Sequence, residues 1–249
     1  MRIAILADVH ANLSALETVF DAISHLGIDR MVCLGDLVGY NAEPAQCIHL
    51  IRTRCQIVVA GNHDHDVAGI SQAPGTHSTA HLIQAWTRSQ LSSDDRAYLA
   101  NLPNRIIDPE GFVAVHGCYL NDTHITGYVT GTMLEANLNA ILAREGWPHI
   151  GLCGHTHTPM VGWLDQGKIV ECKPDKTLNW PASARAVLIN PGSVGQPRDG
   201  DSRAAFAIID IAARQVEIHR VAYDIEATAK SIANACLPGT LAERLREGR

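Results

Sequence analysis

The stretch IAILADVHANLSALETVFDAISHLGIDRMVCLGD, Ile3 to Asp36, sets the fold of this chain. It opens with an apolar run of strand length, Ile3 to Ala7. Leu13, Leu16, Val19, Phe20, Ile23 and Leu26 then recur at near-helical spacing, and a second apolar run comes at Met31 to Leu34. A short apolar run, a 3.6-residue period and another apolar run predict a β–α–β unit. Ser14 and Glu17 have capping-box spacing at the start of the helix, and Gly27 stands where a C-terminal stop belongs. Each strand ends in polar residues: Asp8 and His10 after the first, Asp36 after the second.

The scheme repeats along the chain. A helix is predicted through Cys47 to Arg52 and a strand at Ile57 to Ala60, then strands at Phe112 to Gly117 and Ile150 to Gly154 with a helix around Leu134 to Arg144. Residues 70–109 interrupt the alternation as a helical insertion. Its apolar residues, among them Trp86, Leu91 and Tyr98, either pack on the body or form a cap over a pocket, with His77 or His81 reaching in. From Met160 onward apolar runs separated by turn residues predict hairpins, and from about residue 225 a helix runs into a frayed terminus. Crossover units first and hairpins later predict one α/β domain over residues 1–249, with two mixed β-sheets packed together and helices outside.

Composition narrows the function. The chain has 249 residues, 46% hydrophobic and 18% charged, with a formal net charge of -6 and no run of Lys or Arg. Duplex nucleic acid is not an expected partner. No apolar run approaches membrane-spanning length, and RIAILADVH is too short and too soon acidic for a signal peptide, so no membrane contact and a cytoplasmic location are expected. The seven cysteines include no C-x-x-C pair and several lie in apolar runs, which favours burial over ligation. The thirteen histidines carry the signal instead.

Five predicted strands end in metal-competent side chains: Asp8 and His10; Asp36; Asn62, His63 and Asp64; His116; His155 and His157. In α/β sheets ligands bind outside the carboxyl ends of strands, so these residues should converge. On extended chain His155 and His157 would point the same way. Imidazole, carboxylate and amide oxygen without thiolate suit divalent manganese, iron or zinc, and the candidates are too many for one ion. Two other motifs are decoys. GWLDQGK, Gly162 to Lys168, lacks the Ser or Thr of a phosphate loop and reads as a hairpin turn at Asp165 to Lys168. Ser193 in Asn190-Pro191-Gly192-Ser193 lacks the G-x-S-x-G context of a nucleophile and reads as part of a loop beside the metals.

In this order, D-x-H, G-D, G-N-H-D, a lone His and G-H-T-H resemble the calcineurin-like metallophosphoesterase superfamily. The resemblance runs from Arg2 to about Gly195, with GDLVGYNAEP (Gly35 to Pro44) similar to its smaller bacterial and archaeal branch and NPGSVGQPR (Asn190 to Arg198) near the end. It implies a four-layer α/β/β/α sandwich and two divalent metal ions, one held by Asp8, His10 and His157, the other by Asn62, His116 and His155, with Asp36 bridging. It further implies hydrolysis of small phosphorylated or nucleotide substrates by a metal-bridging hydroxide, with His63 facing the phosphoryl group. A phosphodiesterase or nuclease, or a dinucleoside-polyphosphate hydrolase, would use the same centre. A non-catalytic metal-binding scaffold would be expected to lack ligands, and none is missing. Protein phosphatases of the superfamily carry aspartate and arginine where this chain has Gly39 and Tyr40. Asp64 is therefore the candidate to orient His63, and Arg198 the candidate to reach phosphate. Residues 118–129 are a second candidate for substrate selection.

Overall fold

Alternate residues of the first strand, β1 (Arg2–Leu6), face two different cores. Ile3 and Ile5 join Val32, Leu34, Phe112, Ala114 and Ile189, all 0% exposed, in the core between two sheets. Ala4 and Leu6 face the other way, onto Leu16 and Val19 of α1 (Leu13–Ser24) and Ile48 and Ile51 of α2 (Pro44–Arg54). A strand buried on both faces is continuously apolar, which is why IAILA shows no alternation. The computed structural model describes residues 1–70, 79–172 and 177–249.

The first sheet is built around β1, with β2 (Arg30–Cys33) and β3 (Ile57–Val58) parallel on one side. On the other lie β11 (Ala204–Asp210), β12 (Gln215–Val221) and β9 (Thr177–Asn179), antiparallel. In the second sheet β5 (Phe112–Val115), β6 (Ile150–Leu152) and β10 (Ala184–Asn190) run parallel. It is extended at one edge by β4 (Arg105–Asp108) and at the other by the hairpin of β7 (Met160–Asp165) and β8 (Lys168–Cys172). The outer face of this sheet, with Val113, Val115 and Leu188, packs on Leu134, Leu138 and Ile141 of α6 (Gly131–Leu142). The order is therefore helices, sheet, sheet, helix, the four-layer sandwich expected from the sequence. No helix among the described residues is long and apolar enough to cross a membrane.

Local details differ from the sequence reading where a tertiary partner intervenes. The N-cap of α1 is Asn12, whose side chain accepts from the Ala15 amide at 3.2 Å, while the Ser14 hydroxyl donates to the Asp224 carbonyl. Asn12 serves twice, since its Nδ2 also donates to the Gly195 carbonyl at 2.9 Å. The insertion contains α4 (Thr79–Gln90) and α5 (Ser93–Ala100), but its end forms β4 rather than helix. That edge strand is only four residues long, and its Asp108 takes a two-pronged ion pair from Arg30 on β2. His77 lies outside the described residues. The terminus is not frayed: α7 (Ile225–Asn234) leads into α8 (Thr240–Glu247), which buries Leu241 and Leu245 against Ile232 and Ile83. At Asp165 to Lys168 the hairpin turn is present, with positive φ at both Gln166 (+48°) and Gly167 (+78°), as a two-residue turn between twisted strands requires.

Candidate metal centre

The carboxyl ends of β1, β2 and β3 in one sheet and of β5 and β6 in the other meet at one edge of the sandwich. There the expected side chains fall into overlapping groups, each with its donor atoms within 4.8 Å of one another: Asp8, His10 and His157; His10, Asp36 and His63; Asp36, His116 and His155. Asp8, His10, Asp36, His116 and His157 are all at most 1% exposed, whereas His63, His155, Asn62 and Arg198 form the partly exposed rim. Five of these residues reach their places by left-handed backbone: Asp8 (φ +54°), His10 (+47°), Asp36 (+53°), His155 (+67°) and His157 (+59°). For residues with a Cβ that conformation costs roughly 1–2 kcal/mol each, so the surrounding structure must impose it. It also corrects the expectation of an extended HTH segment. With a left-handed residue on each side of Thr156, His157 turns to Asp8 and His10 while His155 turns to Asp36 and His116.

Backbone carbonyls set the histidine tautomers. His10 Nδ1 donates to the Val38 carbonyl at 3.0 Å, His116 Nδ1 to that of Leu34 at 2.7 Å, and His157 Nδ1 to that of Gln196. Each ring thereby presents Nε2 to the cluster. His10 Nε2 and His157 Nε2 face each other at 3.1 Å, and His157 Nε2 is 3.4 Å from Asp8 Oδ1. Burial holds both imidazoles well below their usual pKa, so neither carries a second proton and two lone pairs converge. A cation between them removes that conflict. The buried Oδ1 of Asn62, without a hydrogen-bond partner among the described residues, is a further donor awaiting one. The residues present therefore fit a divalent metal.

Asp36 joins the two halves. Asp36 Oδ2 lies 3.3 Å from His116 Nε2 and 3.6 Å from His10 Nε2, placing one carboxylate between the two triads. Burial opposes a charge on His116, but Asp36, Asp8 and the Leu34 carbonyl together outweigh it and push that histidine up to about 9. Burial, opposed by His116 and aided by Asp36, pushes Asp8 up to about 7. Burial and, after it, the neighbouring His116 push His155 down to about 4. Buried acids and imidazoles pulled this far apart are a signature of functional sites.

Asp64 does not serve His63. Its carboxylate accepts from the amides of Asp36 (2.8 Å), Leu37 (2.9 Å) and Gly61 (2.9 Å), locking the turn after β2 to the turn after β3. Gly61 is required at that junction, since a Cβ there would lie 2.1 Å from Asp36 Oδ1. His63 donates its backbone amide to Asp36 Oδ1 at 2.9 Å and rests its ring on Gly39, where a Cβ would come within 2.6 Å of Nδ1. Tyr40 packs 4.7 Å from the His63 ring and 4.5 Å from the His10 ring, and its hydroxyl accepts from Arg198 at 3.1 Å. Gly39 and Tyr40 thus bring His63 and Arg198 to the rim in place of the aspartate and arginine of the protein phosphatases.

The NPGS loop is a support. Ser193 is fully buried and its hydroxyl donates to the Asp8 carbonyl, while Asn190 Nδ2 donates to the Gly154 carbonyl and Thr156 Oγ1. His81 joins none of the donor groups, and the cysteines are all free and stay out of them too. Sequence reasoning missed Tyr128, which stacks on the His155 ring at 4.3 Å although 52% exposed, and Arg244, which comes from α8 to lie over the Tyr40 ring. Residues 118–129 stand out in the sequence only as a stretch, and nothing there connects Arg244 to residue 40.

A sandwich whose strand ends gather two donor triads about one aspartate defines a metal-dependent phosphoesterase class. The profile of the calcineurin-like phosphoesterase superfamily domain matches residues 1–214, and the chain belongs to that superfamily. It is 34% identical over 255 residues to an uncharacterized protein of Methanocaldococcus jannaschii, covering 99% of this chain and 98% of that one. Among solved structures it is similar to a metallophosphoesterase from Sphaerobacter thermophilus, with a TM-score of 0.86, 36% identity and coverage of 100% and 99%. A hypothetical protein from Pyrococcus horikoshii shares the fold at a TM-score of 0.78 and 20% identity, with coverage of 100% and 98%.

Proposed function

We propose that this protein is a phosphoric ester hydrolase with a binuclear metal centre, acting on small phosphorylated substrates that include nucleotides. The observation that carries the reading is Asp36 between two groups, Asp8–His10–His157 on one side and its own group with His116 and His155 on the other. In this reading each triad holds one divalent ion, manganese, iron or zinc, and Asp36 is shared. When bound, such ions supply Lewis acidity, lowering the pKa of a water and neutralising phosphoryl oxygens.

The chain's own residues do the rest. Val38, Leu34 and Gln196 carbonyls hold three histidines with Nε2 inward, so the donors are in place before substrate arrives. His63 stands at the rim as the proton donor to the leaving oxygen. Burial holds its pKa below the usual value, and an anionic phosphoryl group beside it raises the pKa again, so that the proton is taken up with the substrate. Arg198 gives the phosphoryl group a cationic partner. A cavity of about 310 Å³ is lined by Gly131, Thr158, Met160 and Tyr128, the ring stacked on His155, and offers room for the alcohol part. The proposal includes a cytoplasmic location, which the seven free thiols support.

The test is manganese-dependent hydrolysis by metal-stripped protein of an aryl phosphomonoester, an aryl phosphodiester and a dinucleoside tetraphosphate. Turnover of at least one, lost on chelation and reduced about 10²–10³-fold in His63→Asn with metal content retained, is expected. Silence on all three with two metals verified would favour a scaffold.

A further inference from the structure

Two arginines converge on one tyrosine beside the donor cluster without a carboxylate between them. Arg198 donates from Nη2 to the Tyr40 hydroxyl at 3.1 Å and lies 5.7 Å from its ring centroid. Arg244, from the middle of α8, lies 5.5 Å from the same centroid. Neither forms an ion pair with an acidic side chain among the described residues. The arginines around them behave differently: Arg203 pairs with Asp201, Arg220 with Asp199, and Arg246 with Glu226. Nε of Arg198 is buried and has no hydrogen-bond partner among the described residues.

Two like charges on one ring repel, and a buried unsatisfied N–H adds to the cost. Arg244 Nε donates to the Arg249 backbone oxygen at 2.9 Å, and burial, with Arg198 next in effect, holds its guanidinium below the usual pKa. The fork geometry of guanidinium suits the paired oxygens of phosphate and carboxylate, and beside donors that would face a phosphoryl group phosphate is the anion expected. Tyr40 touches His10 and His63, and the arginines touch Tyr40, so the pair stands one ring outward from the donors that would face a reacting phosphoryl group.

We propose that Arg198 and Arg244, seated on Tyr40, form a subsite for a second phosphate group of the substrate, one that does not itself react. This rests on the phosphoesterase reading above and narrows it. The preferred substrates carry a further phosphate beyond the scissile one, as nucleoside and dinucleoside polyphosphates do. The C-terminal helix α8, beyond the 1–214 region that the family profile matches, then sets specificity by delivering Arg244. Arg198 contacts both groups at the boundary, whereas Arg244 is dedicated to the outer one.

Two measurements test it. The first reads binding without turnover: inorganic pyrophosphate is titrated into metal-stripped protein by calorimetry and thermal shift, against sodium chloride at matched ionic strength. Wild type is expected to bind in the millimolar range or better. Arg244→Met keeps the apolar stem over Tyr40 and should weaken binding about 10-fold, the scale of one lost charge-assisted hydrogen bond, with Arg244→Lys between the two. No binding by wild type, or equal binding by wild type and Arg244→Met, overturns the subsite. The second uses manganese-loaded enzyme and compares kcat/KM for a dinucleoside tetraphosphate with that for an aryl phosphomonoester. The ratio should fall about 10-fold in Arg244→Met, through KM, as one charge-assisted contact predicts. An unchanged ratio overturns the assignment to a second phosphate. If wild type hydrolyses neither of these compounds, the pyrophosphate titration decides the anion site by itself, and the phosphoesterase reading fails when the aryl phosphodiester is not turned over either.

Discussion

The Nε2 atoms of His10 and His157 face each other at 3.1 Å while the Nδ1 of each ring donates to a backbone carbonyl, from Val38 and from Gln196. Two unprotonated nitrogens in that relation repel, and a cation between them relieves the repulsion, so metal binding is expected to stabilise the fold. Manganese added to chelator-treated protein is expected to raise its Tm, by the equivalent of about 2.7 kcal/mol at a hundred times Kd. In His157→Ala the thermal shift at equal manganese should shrink, with affinity down at least 10-fold on the scale of lost ligand-shell contacts. A Tm indifferent to manganese would contradict the tautomer argument.

Asp64 ties together two turns through three amides, so its replacement should be felt in stability before chemistry. In Asp64→Asn one oxygen becomes a donor, and at least one of the amides of Asp36, Leu37 and Gly61 loses its acceptor. The expected loss is about 1–3 kcal/mol by urea denaturation. Manganese affinity should fall with it, because the Asp36 backbone is no longer held. An unchanged urea midpoint would show that the clamp is dispensable.

Gly39 carries the His63 ring at φ +91°. Gly39→Ala brings a Cβ within 2.6 Å of Nδ1 and strains the backbone, for a cost of roughly 1–2 kcal/mol from the left-handed conformation alone. Turnover should drop while metal content measured by atomic spectroscopy stays at the wild-type level, since no donor of the two triads is touched. Loss of metal in this variant would instead make His63 a ligand, as its place in a group with His10 and Asp36 permits.

Asp201 provides a pH signature away from the donor cluster. Its hydrogen bonds from Arg203 hold the carboxyl down at about 2, below the 3.8 of an unperturbed aspartate. A folded pKa below the unfolded one means stability that is present above pH 4 and lost as pH falls toward 2. Asp201→Asn should therefore be less stable than wild type at neutral pH, within the range of exposed ion pairs of about 0.2–1 kcal/mol, and equal to it at the acid end. A difference in Tm that persists unchanged down to pH 2 would assign the effect to something other than this charge.

The layers and the donor set are legible in the linear chain. Strand-length apolar runs alternating with a helical period leave few ways to pack, and parallel strands bring the residues at their carboxyl ends to a common edge. The clustering of Asp8, His10, Asp36, His116, His155 and His157 follows from their positions after strands. Where capping or pairing depended on a distant partner, local pattern misled: Asn12 rather than Ser14 caps α1 because Gly195 fixes it, and RIID forms an edge strand because β5 and Arg30 are there to receive it. The roles of Asp64, Tyr40, Tyr128 and Arg244 emerge only in the packed fold. Each acts on residues far away in the chain or through the geometry of a turn, and such encounters leave no period or spacing behind. Arg244 meets Tyr40 only because α8 folds back over residues that precede it by some two hundred positions. The five left-handed residues of the cluster make the same point. Their side chains were readable as chemistry, but a backbone conformation that intrinsic preference opposes exists only where the completed fold imposes it.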